Sequence, residues 1–134
     1  MSSQNFNAAQ SAYRKHHSTE TALLKTVHDV YTASDSGSPT LLVSLDLSAA
    51  FDIVDHITLL NHLTHSFGIS GPTIEWLRSY LCDRSFRVQC GTSCSSSVQC
   101  DMGVPQGSVL GPLLFSIYTS PIAAIASNHQ VSNQ

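Results

Sequence analysis

Thr40-Leu-Leu-Val-Ser-Leu-Asp46 runs directly into Leu47-Ser-Ala-Ala-Phe-Asp-Ile-Val-Asp-His56, and the reading of this stretch decides the fold. TLLVSLD is short, nearly continuously apolar, and preceded by the turn cluster Ser34–Pro39 (SDSGSP). Such a run predicts a strand buried on both faces. It ends in Asp46. Ligands gather beyond the carboxyl ends of strands in α/β folds, and a carboxylate there can hold a hard divalent cation such as Mg2+. An equally simple role for Asp46 is to cap the segment that follows. Asp52, Asp55 and His56 stand at i, i+3 and i+4, a spacing that shares one helix face. They offer a mixed carboxylate and imidazole set of the kind a metal hydrolase uses. The alternative is that Asp52 or Asp55 caps a helix over about 56–66, carried by Leu59, Leu60 and Leu63.

On the N-terminal side, residues 1–17 are polar and irregular. Leu23, Val27, Val30 and Tyr31 then recur at helical spacing, with Ser18 as cap and Glu20 in the first turn, so an amphipathic helix is predicted for about 19–33. On the other side, Gly68 and Gly71 break the chain. Pro72 opens a further helix to about Cys82 that buries Ile74, Leu77 and Leu81. FRVQC and SVQCD read as two short strands around the Gly/Ser-rich turn GTSCSSS. GVPQGSVLGP (Gly103–Pro112) is a loop entering a buried helix that contains Leu113–Ile117, and Pro121 interrupts that helix. A loop of this kind can present backbone N–H groups to a phosphate or nucleotide, although on its own it is a turn and a helix start. It is neither a Walker A loop nor a nucleophile elbow. The order helix, strand, two helices, hairpin, helix is a mixed α/β (α+β) arrangement, helix-rich around a small sheet.

The 134 residues suffice for one domain, and 42% of them are hydrophobic, enough for a packed core. Only 11% are charged, about half the usual share, which suits a piece whose surface meets other parts of a larger protein. The net charge of -3 lacks the basic excess of a nucleic-acid binder, so weak or no nucleic-acid binding is expected of the chain alone. Cys82, Cys90, Cys94 and Cys100 lack paired C-x-x-C units, which favours free thiols over zinc. Met1–Gln10 is polar and does not resemble a signal peptide. An intracellular setting, cytoplasm or nucleus, and no membrane partner are therefore expected.

Three segments together define a resemblance. QSAYRKHHSTETALL (Gln10–Leu24), LVSLDLSAAFDIVDH (Leu42–His56) and GVPQGSVLGPLLF (Gly103–Phe115) occur in this order, with FGISGPTIEWLRSYLCDR (Phe67–Arg84) between the last two. The set strongly resembles the reverse transcriptases of LINE-type (non-LTR) retrotransposons. The resemblance implies an irregular segment over 1–9, then a partial polymerase domain over 10–134 made of palm and part of the fingers. LDLSAAFD is similar to the family's first palm motif. Asp46 would then be the catalytic aspartate that binds magnesium, and Phe51 the aromatic residue beneath the incoming sugar, unless it is simply a core aromatic. PQG is similar to the second palm motif, so Gln106 and Gly107 would line the nucleotide pocket. Arg14, on the fingers side, would touch template or primer phosphates.

The implied chemistry is RNA-directed DNA synthesis by two-metal nucleotidyl transfer, with RNA template, DNA primer and dNTP as partners of the intact parent. The family's third palm motif carries two adjacent aspartates. No Asp-Asp pair occurs here, and the last acid is Asp101. The thumb and the upstream triphosphate-binding arginine are likewise not matched. The expectation is a fragment that does not polymerise alone. The alternatives are a non-catalytic palm fragment that binds RNA or protein, and the hydrolase built on Asp46, Asp52, Asp55 and His56.

Overall fold

The computed structural model describes residues 9–37 and 39–132. Most of the expected irregular segment 1–9 lies outside the described residues. The elements are α1 (Thr19–Asp35), α2 (His56–His65), α3 (Pro72–Leu81), β1 (Arg84–Phe86), β2 (Gln89–Cys90), β3 (Ser93–Cys94), β4 (Val98–Cys100), α4 (Leu110–Thr119) and α5 (Ile122–Asn128). The class is mixed α/β, as expected. The chain divides into two units. One is Ala49–Thr119, and the other comprises the described residues up to Ser48 and from Ser120 onward.

The Ala49–Thr119 unit holds the core. α2 begins at Asp55, whose Oδ1 accepts the Thr58 N–H at 2.7 Å and so satisfies one orphan donor of the first turn. Its apolar stripe, Leu59, Leu60 and Leu63, packs against α3 and α4. Gly71 at φ +63 turns the chain into Pro72, which starts α3. Ile74, Leu77 and Leu81 are buried, as their spacing predicts, and Val54, Val104, Leu114 and Ile117 complete the core. Each such side chain contributes roughly 1.5–3 kcal/mol of transfer free energy.

The predicted hairpin is present but broken. β1 pairs antiparallel with β4 in the register Arg84↔Cys100 to Phe86↔Val98, and β2 pairs with β3 as Gln89↔Cys94 and Cys90↔Ser93 around Gly91-Thr92. The returning strand carries one residue more than the outgoing strand between the two ladders, which is a bulge. Ser95 fills it. Its N–H donates to the Val88 carbonyl at 2.9 Å, and its Oγ accepts the Val88 N–H at 3.0 Å.

In the other unit, α1 is present with Ser18 as N-cap. Thr21 closes a capping box by accepting the Ser18 N–H at 2.9 Å. No residue of α1 is buried. The predicted strand Thr40–Asp46 is not formed. Leu41 and Leu45 are 86% and 88% exposed, and no residue of the run pairs in a ladder among the described residues. A strand is made by its neighbour's hydrogen bonds, and local apolarity cannot supply them.

No membrane partner is expected from the sequence, yet one stretch reaches membrane-spanning length and apolarity. Leu110–Asn128, 19 residues, is long and apolar enough to cross a bilayer by length and composition alone. Pro121 divides it into two helices, and the first places Leu114 and Ile117 in the core.

Candidate functional site

Asp46–His56 and Gly103–Ser108 are far apart in sequence, yet within the Ala49–Thr119 unit the second segment is seated on the C-terminal half of the first. The Gly103 N–H donates to the Val54 carbonyl and the Val104 N–H to the Phe51 carbonyl, both at 2.8 Å. Asp55 and Met102 form an antiparallel bridge. The approach is close enough to require glycine. A Cβ on Gly103 would lie 2.9 Å from the Asp52 Cα, and its φ is +84.

Gln106 projects from this loop, and its Nε2 donates to both oxygens of Asp52, at 2.9 and 3.0 Å. A carboxylate only accepts, so the amide nitrogen is taken up by Asp52. Gly107 follows at φ +77, and a Cβ there would meet nothing within 4 Å, so its backbone is open. Phe51 is half-buried and meets Phe115 of α4 edge-on, centroids 5.4 Å apart. Its packing is that of a partly covered core aromatic. Phe51, Gln106 and Gly107 thus belong to one unit.

Ser108 ties the loop to its surroundings. Its Oγ accepts the Tyr80 hydroxyl at 2.8 Å and the Gly111 N–H at 3.0 Å, and donates to the Pro105 carbonyl at 2.7 Å. The buried His56 ring donates from Nε2 to the Gly103 carbonyl at 2.8 Å, and Arg84 Nη2 donates to the same oxygen at 2.8 Å. Neither His56 nor Arg84 was expected to serve this loop. No spacing rule links a side chain to a backbone carbonyl so distant in sequence.

The Asp52, Asp55 and His56 trio does not share one helix face. Asp52 lies in the turn before α2, Asp55 is its N-cap, and His56 turns to Gly103. The Asp55 carboxyl is held below the ordinary aspartate value by hydrogen bonds from the Thr58 side chain and then the Thr58 N–H. His62 is half-buried beside Tyr118, centroids 6.4 Å apart.

Asp46 and Arg14 belong to the other unit. Asp46 is exposed, and its Oδ1 accepts the Leu47 N–H at 2.9 Å. The contact is to the next residue and caps no helix, since α2 begins only at His56 with Asp55 as its cap. Arg14 is exposed, with Nη1 3.5 Å from the Gln10 carbonyl. No group of three His, Cys, Asp or Glu side chains that could hold a metal ion comes together among the described residues. The donors present therefore do not fit a two-metal centre, and no catalytic step can be derived through one here.

Residues 51–54 and the PQG loop are held together in one unit, and comparison with known proteins makes the class explicit. The chain matches the family described as Reverse transcriptase (RNA-dependent DNA polymerase) over residues 1–132, and it belongs to that family. Among curated relatives it is 35% identical over 120 residues to the "Probable RNA-directed DNA polymerase from transposon BS" of Drosophila melanogaster, covering 90% of this chain and 13% of the relative. It is 37% identical over 110 residues to the "Probable RNA-directed DNA polymerase from transposon X-element" of the same organism, covering 82% and 12%. To the "RNA-directed DNA polymerase from mobile element jockey" of that organism it is 34% identical over 113 residues, covering 83% and 12%. The chain therefore spans 12% to 13% of the length of these relatives.

Proposed function

We propose that the chain is the fingers-to-palm segment, residues 10–134, of an RNA-directed DNA polymerase from a LINE-type retrotransposon. The observation that carries this reading is the seating of Gly103–Gln106 on Phe51–Val54, with 2.8 Å bonds at Gly103 and Val104 and the Gln106–Asp52 contact beyond them. Phe51 of one motif and Gln106 and Gly107 of the next lie in the same unit beside these contacts, which supports reading them as parts of a nucleotide wall. In the parent, RNA template, DNA primer and dNTP are the partners, and the place of action is inside the cell, in cytoplasm or nucleus.

Within this reading Phe51 lies under the incoming sugar, Gln106 and Gly107 contact the nucleotide, and Arg14 meets a template or primer phosphate. Asp46 supplies one carboxylate toward the Mg2+ that such enzymes use. One carboxylate leaves a pair of divalent cations without a bridge, and such sites depend on charge neutralisation. The 134-residue protein should therefore give no product in Mg2+-dependent primer extension on a primed RNA template. Robust synthesis would overturn that expectation. The genomic sequence beyond codon 134 tests the identity itself. An Ala-Asp-Asp segment downstream is the expected result, and a downstream sequence coding no aspartate pair in any frame would count against a polymerase parent.

The exposed aliphatic side chains of 41–45 favour a second reading, a fragment that binds protein without catalysis. With a net charge of -3, tight RNA binding is the less favoured form of it. Salt-sensitive retention of RNA on a filter would reverse that order.

A further inference from the structure

We propose that His56 and Arg84 are paired positioning residues that fix the loop Gly103–Gly107 through a single atom, the Gly103 carbonyl oxygen. The proposal deepens the polymerase reading and rests on it in one respect, that this loop is a wall of the nucleotide pocket.

Two side chains converge on that oxygen, His56 Nε2 at 2.8 Å and Arg84 Nη2 at 2.8 Å. A carbonyl has two lone pairs and can only accept, so both are occupied and His56 carries its proton on Nε2. The two donors come from different places. His56 is the first residue of α2 and is buried, 6% exposed. Arg84 opens β1 just past α3, and its Nε also donates to the Leu81 carbonyl at 3.0 Å. That second contact sets a cation at the C-terminal end of α3, where the helix dipole favours it. One arginine thus joins the end of α3 to the loop, and one histidine joins the start of α2 to the same point.

The loop needs such an anchor. Between β4 and α4 it has no ladder to register it apart from the isolated Asp55↔Met102 bridge. Gly103 sits at φ +84, a conformation that allows large backbone excursions unless neighbours forbid them. On its N–H side the residue is held by Val54, and on its carbonyl side by His56 and Arg84. The peptide between Gly103 and Val104 is therefore held at both polar atoms, its carbonyl by His56 and Arg84 and its N–H by the Phe51 carbonyl, and three residues after Gly103 the Gln106 side chain reaches Asp52. Rotation of that peptide would swing Gln106 and Gly107 together. The charged donor makes the hold stronger than an ordinary hydrogen bond, and burial of His56 keeps water from substituting for it.

The test is amide hydrogen exchange by NMR on the 134-residue protein and its variants. In His56→Leu and Arg84→Met, exchange at the Gly103 and Val104 amides should rise about tenfold, the change expected for losing one buried or charged hydrogen bond. The Leu63 and Leu77 amides should stay unchanged. His56→Gln keeps an N–H donor at similar reach and should restore slow exchange at both loop amides. Unchanged exchange at Gly103 and Val104 in both deletions would overturn the proposal. So would a uniform rise across α2 and α3, or failure of His56→Gln to restore what His56→Leu loses. If His56→Leu does not fold, Arg84→Met and His56→Gln carry the same comparison. These readouts need no nucleotide. A failed clamp leaves the polymerase reading standing, and a missing aspartate pair downstream leaves the clamp standing.

Discussion

Residues 54–63 and residues 41–45 are both rich in large aliphatic side chains, and they meet opposite fates. Val54, Leu59, Leu60 and Leu63 are at most 6% exposed, with Ile57 on the outer face of α2 at 72%, whereas Leu41, Leu42, Val43 and Leu45 range from 63% to 88%. The first group has α3 and α4 to pack against. The second has no ladder partner among the described residues. Apolarity gives a segment something to gain from burial, and a neighbouring surface decides whether the gain is realised. A helix closes its own hydrogen bonds and can wait for a neighbour, as α1 does, but a strand without a neighbour has no ladder at all.

The contrast predicts its own largest effect. Leu59→Ala or Leu63→Ala should lower the unfolding free energy by about 2–5 kcal/mol in urea titration, through lost transfer energy and a residual cavity. Leu41→Ala and Leu45→Ala should stay within about 0.5 kcal/mol of the parent. A loss at Leu45 comparable to that at Leu63 would mean the run is packed in solution, and the comparison would collapse.

The same division separates what could be read in the sequence from what could not. α2 and α3 were legible because their signals are local: Asp55 ahead of Leu59, Leu60 and Leu63, and Gly71-Pro72 ahead of Ile74, Leu77 and Leu81. The hairpin was legible, but its bulge at Ser95 was not, since a one-residue offset depends on the opposing strand. The strand at 40–46 was expected from composition and is not formed, because composition says nothing of a partner. Within the candidate site, Phe51, Gln106 and Gly107 were named by resemblance alone. The contacts around them are Phe115 against Phe51, Asp52 on Gln106, and His56 and Arg84 on the nearby Gly103 carbonyl, and no periodicity reports such contacts. Asp55 stood between capping and metal binding until the 2.7 Å bond from the Thr58 N–H placed it as a cap.

A middle-sized effect sharpens the comparison within one unit. Gly103 and Gly91 both have positive φ, +84 and +59, but a Cβ on Gly103 meets the backbone of Phe51 and Asp52 at 2.9–3.0 Å while one on Gly91 meets nothing within 4 Å. Gly91→Ala should therefore cost about 1 kcal/mol, the left-handed penalty alone. Gly103→Ala should cost more, roughly 1–3 kcal/mol on top of that, because rigid backbone must move. Equal urea midpoints for the two variants would show that the loop is not held against Phe51–Val54 in solution.

The smallest effect compares two caps that make the same contact with different acceptors, a hydroxyl and a carboxylate. Ser18 caps α1 and Asp55 caps α2, each accepting the N–H of its third following residue, Thr21 at 3.2 Å and Thr58 at 2.7 Å. Ser18→Ala should reduce helical circular dichroism without moving the cooperative urea transition, because nothing in α1 is buried. Asp55→Ala should lower the global unfolding free energy by about 1 kcal/mol, because the turn it closes carries Leu59 into the core. Only the second cap adds a pH dependence to global stability. Its folded carboxyl lies below the ordinary 3.8, so as pH falls the unfolded chain takes up the proton first and acid favours unfolding. The contribution is fully present above that ordinary value and is lost as pH falls through the lower, folded one. Subtracting the Asp55→Asn stability profile from that of the parent should isolate this step. A flat difference across the acid range would mean that the cap, and with it the coupling of α2 to the Phe51–Val54 turn, is not made in solution.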